Sequence, residues 1–404
     1  MSAEIRPCRD LEEFREALGG IGHYFGWNPD AEAAERFSRN LPVERMHTIR
    51  LDGEFAGGGG AFPFELTVPG GRVRAGGVTV IGILPLFRRR GLLSGLMRAQ
   101  FEAMHERGEH VAYLWASEDR IYGRYGYGMA SQTLWVDLSR DHAGFALPHE
   151  ASGRVRIVGL DEALATFPDV YERVAVRTPG MFARTPAWWV TRALRDAPDR
   201  RDGGGEHVRI LYEEDGRPDG YAVYRIHAHW DDGLADGHVN VIEALGASPG
   251  ATAAIWRSLL DVDWMQFVRA RLLPVDHELT FLLAEPRYLR ARVGDGLWVR
   301  LVDVGEALGA RTYADLDPVA IDVADEHCPW NEGRWRVGPD GVGRGDGEAE
   351  LRCDVRELGS AYLGGVTWNE LVRAGRVEEL AEGAAARATA LFAADRAPWC
   401  PEIF

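Results

Sequence analysis

Three consecutive arginines and a glycine, Arg88-Arg89-Arg90-Gly91, stand between an apolar strand-like run and an amphipathic helix-like run. Such a junction can cradle a diphosphate. The first N–H groups of a helix have no internal partners, and the aligned peptide dipoles favour an anion beside them. Gly91 lets the backbone approach phosphates closely, and the arginines add charge around them. Beyond the next strand lies Ile121-Tyr122-Gly123-Arg124-Tyr125-Gly126-Tyr127, where three phenols could hold a proton for a leaving group.

The elements that must position these residues are legible in outline. Asp10 with Glu13 three residues on signals a helix start, followed by Leu11, Phe14 and Leu18 on one face. From Met46 to Leu84 the pattern is β, split by turn signals at Asp52-Gly53 and Pro69-Gly70-Gly71. After Gly91, Leu93, Leu96, Met97, Phe101 and Met104 recur at helical spacing, with Gly108 as a stop, and Val111–Trp115 reads as the next strand. This order implies an α/β (α+β) domain over residues 1–150, with a loop-like boundary at Ala146–Gly153. Residues 151–290 repeat the strand–loop–helix order at Val239–Leu245, Ser248-Pro249 and Ile255–Leu259, without arginines at the loop. Residues 291–404 read as a third domain: short strands in LWVRLVD and GRWRVG, a hairpin turn at Gly338–Gly347, and a terminal helix over Val377–Phe392.

At 404 residues the chain exceeds what one core usually supports. Hydrophobic content of 46% and charged content of 27% fit a soluble globular protein, and no apolar run approaches a membrane span. The N-terminus lacks the apolar core of a signal peptide. Four scattered cysteines, with no metal-ligand spacing, read as reduced thiols of a cytoplasmic protein. The net charge of −16 disfavours nucleic acid and anionic membranes and favours cationic small molecules. Against that background the arginine triplet is the place suited to a polyanion.

The segment Val78–Tyr127 resembles the acetyl-CoA-binding core of the GNAT superfamily of N-acetyltransferases. Arg88 and Gly91 match its helix-start signature, with Leu93 departing from the small residue expected there; Ile121–Tyr127 matches its second signature. Over essentially its full length the sequence is similar to the enhanced-intracellular-survival (Eis) family. That similarity rests on Pro85 ahead of the arginines, Ala116-Ser117-Glu118, Ile121–Gly128, Trp188-Trp189 after Arg184, and three distal pieces: Pro329-Trp330-Asn331, Tyr362–Gly365 and Pro398–Pro401. The resemblance implies two tandem GNAT-like domains, the second degenerate, and a C-terminal sterol-carrier-like domain. It implies acetyl-CoA as co-substrate, no metal, a cytoplasmic homohexamer, and acetyl transfer to a primary amine of an aminoglycoside-like, polyamine or lysine acceptor.

Carried over residue by residue, the resemblance assigns Ile81, Gly82 and Ile83 to the pantetheine arm and Arg89, Arg90, Gly91, Leu92, Leu93 and Ser94 to the pyrophosphate. Ser117 and Glu118 would face the thioester end. Tyr122 holds the family's tyrosine position and would be the general acid; at ordinary pKa values, protonating a thiolate from tyrosine costs only about 2 kcal/mol. The carboxylate of the last residue, Phe404, would be the base, with Glu402 as a second amine-facing carboxylate. The competing class is a non-catalytic acyl-CoA or lipid binder working through the sterol-carrier-like domain.

Weaker candidates remain. The histidines form no His-x-x-x-His or Cys/His grouping, and His227 and His229 read as ordinary strand residues. His23-Tyr24-Phe25-Gly26-Trp27 reads as either a substrate wall or aromatic packing, and Trp188, Trp189 and Trp256 as core. No Gly-x-Ser-x-Gly element appears, which disfavours a covalent mechanism.

Overall fold

The computed structural model describes residues 2–149 and 152–404, so the expected boundary at 150/151 lies outside the described residues. The chain divides into two units. One comprises the chain up to Ser131, Gly296–Asp395 and Ile403–Phe404; the other comprises Gln132–Asp295 and Arg396–Glu402.

The first unit contains a seven-stranded sheet. Strands β1 (Ala3–Pro7), β2 (Met46–Leu51), β3 (Glu54–Val68) and β4 (Gly71–Ile83) pair antiparallel in that order. The turn signals hold: Asp52 and Gly53 both take positive φ, the two-residue hairpin geometry that suits right-twisted strands. β4 then pairs parallel with β5 (Val111–Trp115) through a crossover helix, Leu92–Glu106. The sheet is completed by Leu297–Leu301, inserted between β5 and β6 (Gly128–Met129).

Helix α1 (Leu11–Gly22) starts as expected, with the Asp10 carboxylate accepting from the N–H groups of Glu12 and Glu13. Helix α2 (Ala31–Ser38) follows, and α3 (Leu92–Glu106) buries Leu92, Leu96, Met97, Phe101 and Met104. The same unit carries a five-stranded sheet in the order Gly341–Arg344, Gly333–Gly338, Val319–Ala324, Leu351–Asp354, Glu378–Glu379. Its first two strands form the hairpin expected at Gly338–Gly347. The terminal helix is shorter than expected, Ala384–Leu391, because Glu378–Glu379 pairs with Leu351-Arg352 as an edge strand and Gly383 adopts left-handed backbone.

The second unit has its own seven-stranded sheet. It runs Arg292–Asp295, Gln132–Ser139, Met265–Pro274, Gly237–Gly246, Arg217–His227, Val208–Glu214, Arg154–Ile157. The strand–loop–helix repeat read from the sequence is here. Ser248 caps Pro249–Leu260, which joins two parallel strands and buries Ile255, Trp256 and Leu259.

Strand membership differs from the expected division in two places. Gln132–Ser139 lies in the second sheet, and Leu297–Leu301 lies in the first. Both are short apolar strands, and pairing partners far apart in the chain leave no local signal.

Candidate active site

The crossover from β4 to α3 is built around departures from regular geometry. Parallel pairing of β4 with β5 covers only Ala75–Gly77 against Val111–Tyr113 among the described residues. Beyond Gly77, β4 continues to Ile83 on β3 alone. Between Thr79 and Gly82, β3 contributes one residue where β4 contributes two, a bulge in which Val80 takes φ +51. Left-handed backbone is costly for a β-branched residue, so the surrounding packing must hold it there. The bulge re-aims the strand and leaves the Val78–Ile83 edge for another extended chain to pair with.

At the end of β4, α3 begins on Gly91, which takes φ +77 and gives no side-chain cap to the first turn. A Cβ on Gly91 would meet nothing within 4 Å. The N–H groups of Leu92, Leu93 and Ser94 therefore head an uncapped helix of 15 residues beside exposed Arg89 and Arg90. An uncapped helix start, open space and flanking guanidinium groups fit a diphosphate. Arg88 is committed elsewhere: its Nε donates to Tyr24 Oη at 3.0 Å, and its guanidinium lies 4.7 Å from the centre of that ring. Tyr24 in turn donates to the Ile83 carbonyl. The aromatic segment His23–Trp27 thus touches both the arginine triplet and the end of β4, a link sequence reasoning missed although it singled that segment out.

Ile81 is half-buried, packing with Leu92 and Leu96. Gly82 is a packing point as well as a strand residue: a Cβ there would lie 2.3 Å from the Gly20 carbonyl carbon. Helix α1 can rest on β3 and β4 only because Gly20, Gly57, Gly58 and Gly82 bring backbone against backbone. The glycine run in FAGGGGAF was the available signal.

Ser117 and Glu118 follow β5 as exposed residues at the start of the helical turn Asp119–Tyr122, and Ser94 Oγ lies 3.1 Å from Tyr125 Oη. Tyr122 is 7% exposed and shares a core with Val78, Met97, Phe101 and Leu114. Burial pushes its phenol up to about 12, against a hydrogen bond from Ser117 that pulls the other way. Tyr127 packs edge-on against Tyr122 at 6.0 Å and is wholly buried.

Phe404 sits on the other side of the sheet. Its ring lies 5.0 Å from Tyr113, 5.2 Å from Phe64 and 6.5 Å from Phe62, over Gly77. Successive strand residues face opposite ways, so Gly77 and Tyr113 present one face while Val78 and Leu114 present the other. Phe404 and Tyr122 therefore approach the point where β4 and β5 part from opposite faces. Glu402 does not join them. Its carboxylate pairs with buried Arg184 and accepts from Trp188 Nε1 at 2.8 Å, which removes it as an open amine-facing group.

Residues 4–130 and 180–301 each match the description of an acetyltransferase (GNAT) domain, and 304–401 match a sterol carrier protein domain. N-acetyltransferase Eis of Mycobacterium tuberculosis is 33% identical over 82% of this chain and 81% of its own. The chain belongs to the Eis-like GNAT N-acetyltransferases. An uncharacterized N-acetyltransferase of Streptomyces coelicolor is 39% identical over 100% of both chains. The crystal structure of Eis1 from Mycobacterium abscessus matches 99% of this chain and 100% of its own at TM-score 0.87 and 34% identity. An Eis-like enzyme is thus an N-acetyltransferase with two GNAT domains and a sterol-carrier domain. The second GNAT sheet offers no comparable cradle at its helix start: a Cβ on Gly246 would lie 2.3 Å from Thr252 N, and Ser248 donates to the Asp219 carboxylate. No group of three potential metal-ligating side chains occurs among the described residues, and no described helix is long and apolar enough to cross a membrane.

Proposed function

We propose that the enzyme acetylates a primary amine of a cationic acceptor (aminoglycoside-like, polyamine or lysine) by direct attack, with Tyr122 as the proton donor and the Phe404 carboxylate as the acceptor-side base. The observation that carries this reading is the split between β4 and β5, with a buried phenol on one face and the chain's last residue on the other. Acetyl-CoA supplies an activated acetyl group, which the amine nitrogen takes as the carbon–sulfur bond breaks. Leu92, Leu93 and Ser94 give backbone N–H groups, and Arg89 and Arg90 charge, to the diphosphate. The Ile81–Ile83 edge aligns the pantetheine arm, so a bimolecular encounter becomes a local one. Ser117 and Glu118 flank the thioester end.

A phenol near 12 remains protonated at working pH and suits a donor, not a base. Full transfer to a thiolate near 8.5 is uphill by about 5 kcal/mol, so Tyr122 acts chiefly by hydrogen-bonding the charge that develops on sulfur. An α-carboxylate is a weak base for an ammonium, so Phe404 holds the cation and takes its proton late. The net charge of −16 favours a polycation as acceptor. A cytoplasmic homohexamer is the assembly we propose by kinship with Eis.

The test is thiol release from acetyl-CoA with aminoglycosides, polyamines and lysine peptides, on the native enzyme and on one bearing a short C-terminal extension. Turnover with a polyamine or aminoglycoside, lost on extension at unchanged Tm, is expected. Saturable cofactor binding without turnover would instead favour a non-catalytic binder, and an unaffected extended enzyme would remove Phe404 from the reaction.

A further inference from the structure

The tyrosine-bearing turn is too short to hold its own shape. It consists of the four-residue helix Asp119–Tyr122 and the single 3-10 turn Gly123–Tyr125, ending on left-handed Gly126. Helical pieces of this length have no independent stability, so the orientation of Tyr122 must be imposed from outside.

The imposing groups come from far along the chain. Arg300, on the strand inserted between β5 and β6, is wholly buried and donates from Nη1 to the Tyr125 carbonyl at 3.0 Å. Its Nη2 donates to both oxygens of Asp325 at 2.8 Å, and its guanidinium lies 4.4 Å from the centre of the Phe101 ring. Asp325 also accepts from the N–H groups of His327 and Cys328 at 3.1 Å and from Asn331 Nδ2 at 2.8 Å. His327 Nε2 donates to the Arg124 carbonyl at 2.9 Å. Gly126 completes the fit: a Cβ there would lie 1.9 Å from Arg300 Nη1.

A buried ion pair is a poor way to gain stability, because desolvation offsets most of the attraction, and an apolar pair often does as well. It does fix geometry. The carboxylate of Asp325 accepts from four donor groups, which fixes the direction in which Arg300 aims Nη1. That direction is the main chain three residues past Tyr122.

We infer that Arg300, held by Asp325, is the positioning residue for Tyr122, and that the sterol-carrier module acts in acetyl transfer as the scaffold of the tyrosine turn. The inference rests on the assignment of Tyr122 as proton donor. Neither Arg300 nor Asp325 touches the reacting groups.

The experiment compares steady-state kinetics of R300K, H327A, Y122F and the double variant Y122F/R300K in the full-length enzyme. Lysine keeps the charge facing Asp325 but cannot bridge two acceptors with a planar fork. Misplacing Tyr122 should lower kcat of R300K about 100-fold, with KM for acetyl-CoA changed less than about twofold. H327A, at the rim of the network, should lose about fivefold in kcat at unchanged Tm. In Y122F/R300K the arginine change should cost nothing beyond Y122F alone, since it acts through the missing phenol. A role in folding alone predicts otherwise: R300K would lower the activity of Y122F by the same factor as that of the native enzyme, and H327A would be fully active. That result would overturn the inference. Wild-type turnover by Y122F would instead overturn the assignment of Tyr122, which separates the two failures.

Discussion

The Tyr122 phenol differs from a free tyrosine in one measurable way. Burial raises it to about 12, so its proton stays in place until well above the pH at which an exposed tyrosine ionises. With saturating acceptor and cofactor, kcat should show no alkaline descent from this group below about pH 10. A descending limb near pH 9 that disappears in Tyr122→Phe would contradict it. The residue type and its motif were legible in the sequence. Its environment was not, because Val78, Met97 and Leu114, which share its core, come from three separate elements. The same holds for Arg88, which by type belonged with its two neighbours and by geometry belongs to Tyr24.

Among the elements, β4 and α1 depend on glycine for contact rather than for turning. Gly82→Ala would drive a methyl group into the Gly20 backbone, which cannot rotate away. Overpacking of this kind should cost about 3 kcal/mol, read as a lower urea midpoint at unchanged m-value. A variant as stable as the native enzyme would mean that α1 does not sit on this strand. The helices and hairpins of the first domain were readable from capping, periodicity and turn residues. The bulge at Val80 was not, since nothing in Thr79-Val80-Ile81 marks left-handed backbone. The strands Gln132–Ser139 and Leu297–Leu301 were readable as strands, but their sheets depend on partners more than 100 residues away, for example Leu138 with Val268.

For the whole molecule, charge and buried histidines set the response to acid. Burial holds His47, in the first unit, and His207, in the second, down to about 4 from an ordinary value near 6.5. The unfolded chain therefore binds these protons before the folded one does. Their contribution to stability is complete above about pH 6.5 and is lost as pH falls toward 4, at up to about 1.4 kcal/mol per pH unit for each group. Tm should fall steadily across that window, and His47→Gln should flatten the fall. An unchanged slope in that variant would show that other groups govern acid unfolding.

The proposed reaction requires a cofactor seated at the start of α3 with its sulfur turned toward Tyr122. A crystal structure with coenzyme A bound tests this most directly. It should show the diphosphate on the N–H groups of Leu92, Leu93 and Ser94, the pantetheine paired along Ile81–Ile83, and the sulfur within hydrogen-bond reach of Tyr122 Oη. A diphosphate bound away from Gly91, or a sulfur facing away from that phenol, would contradict it.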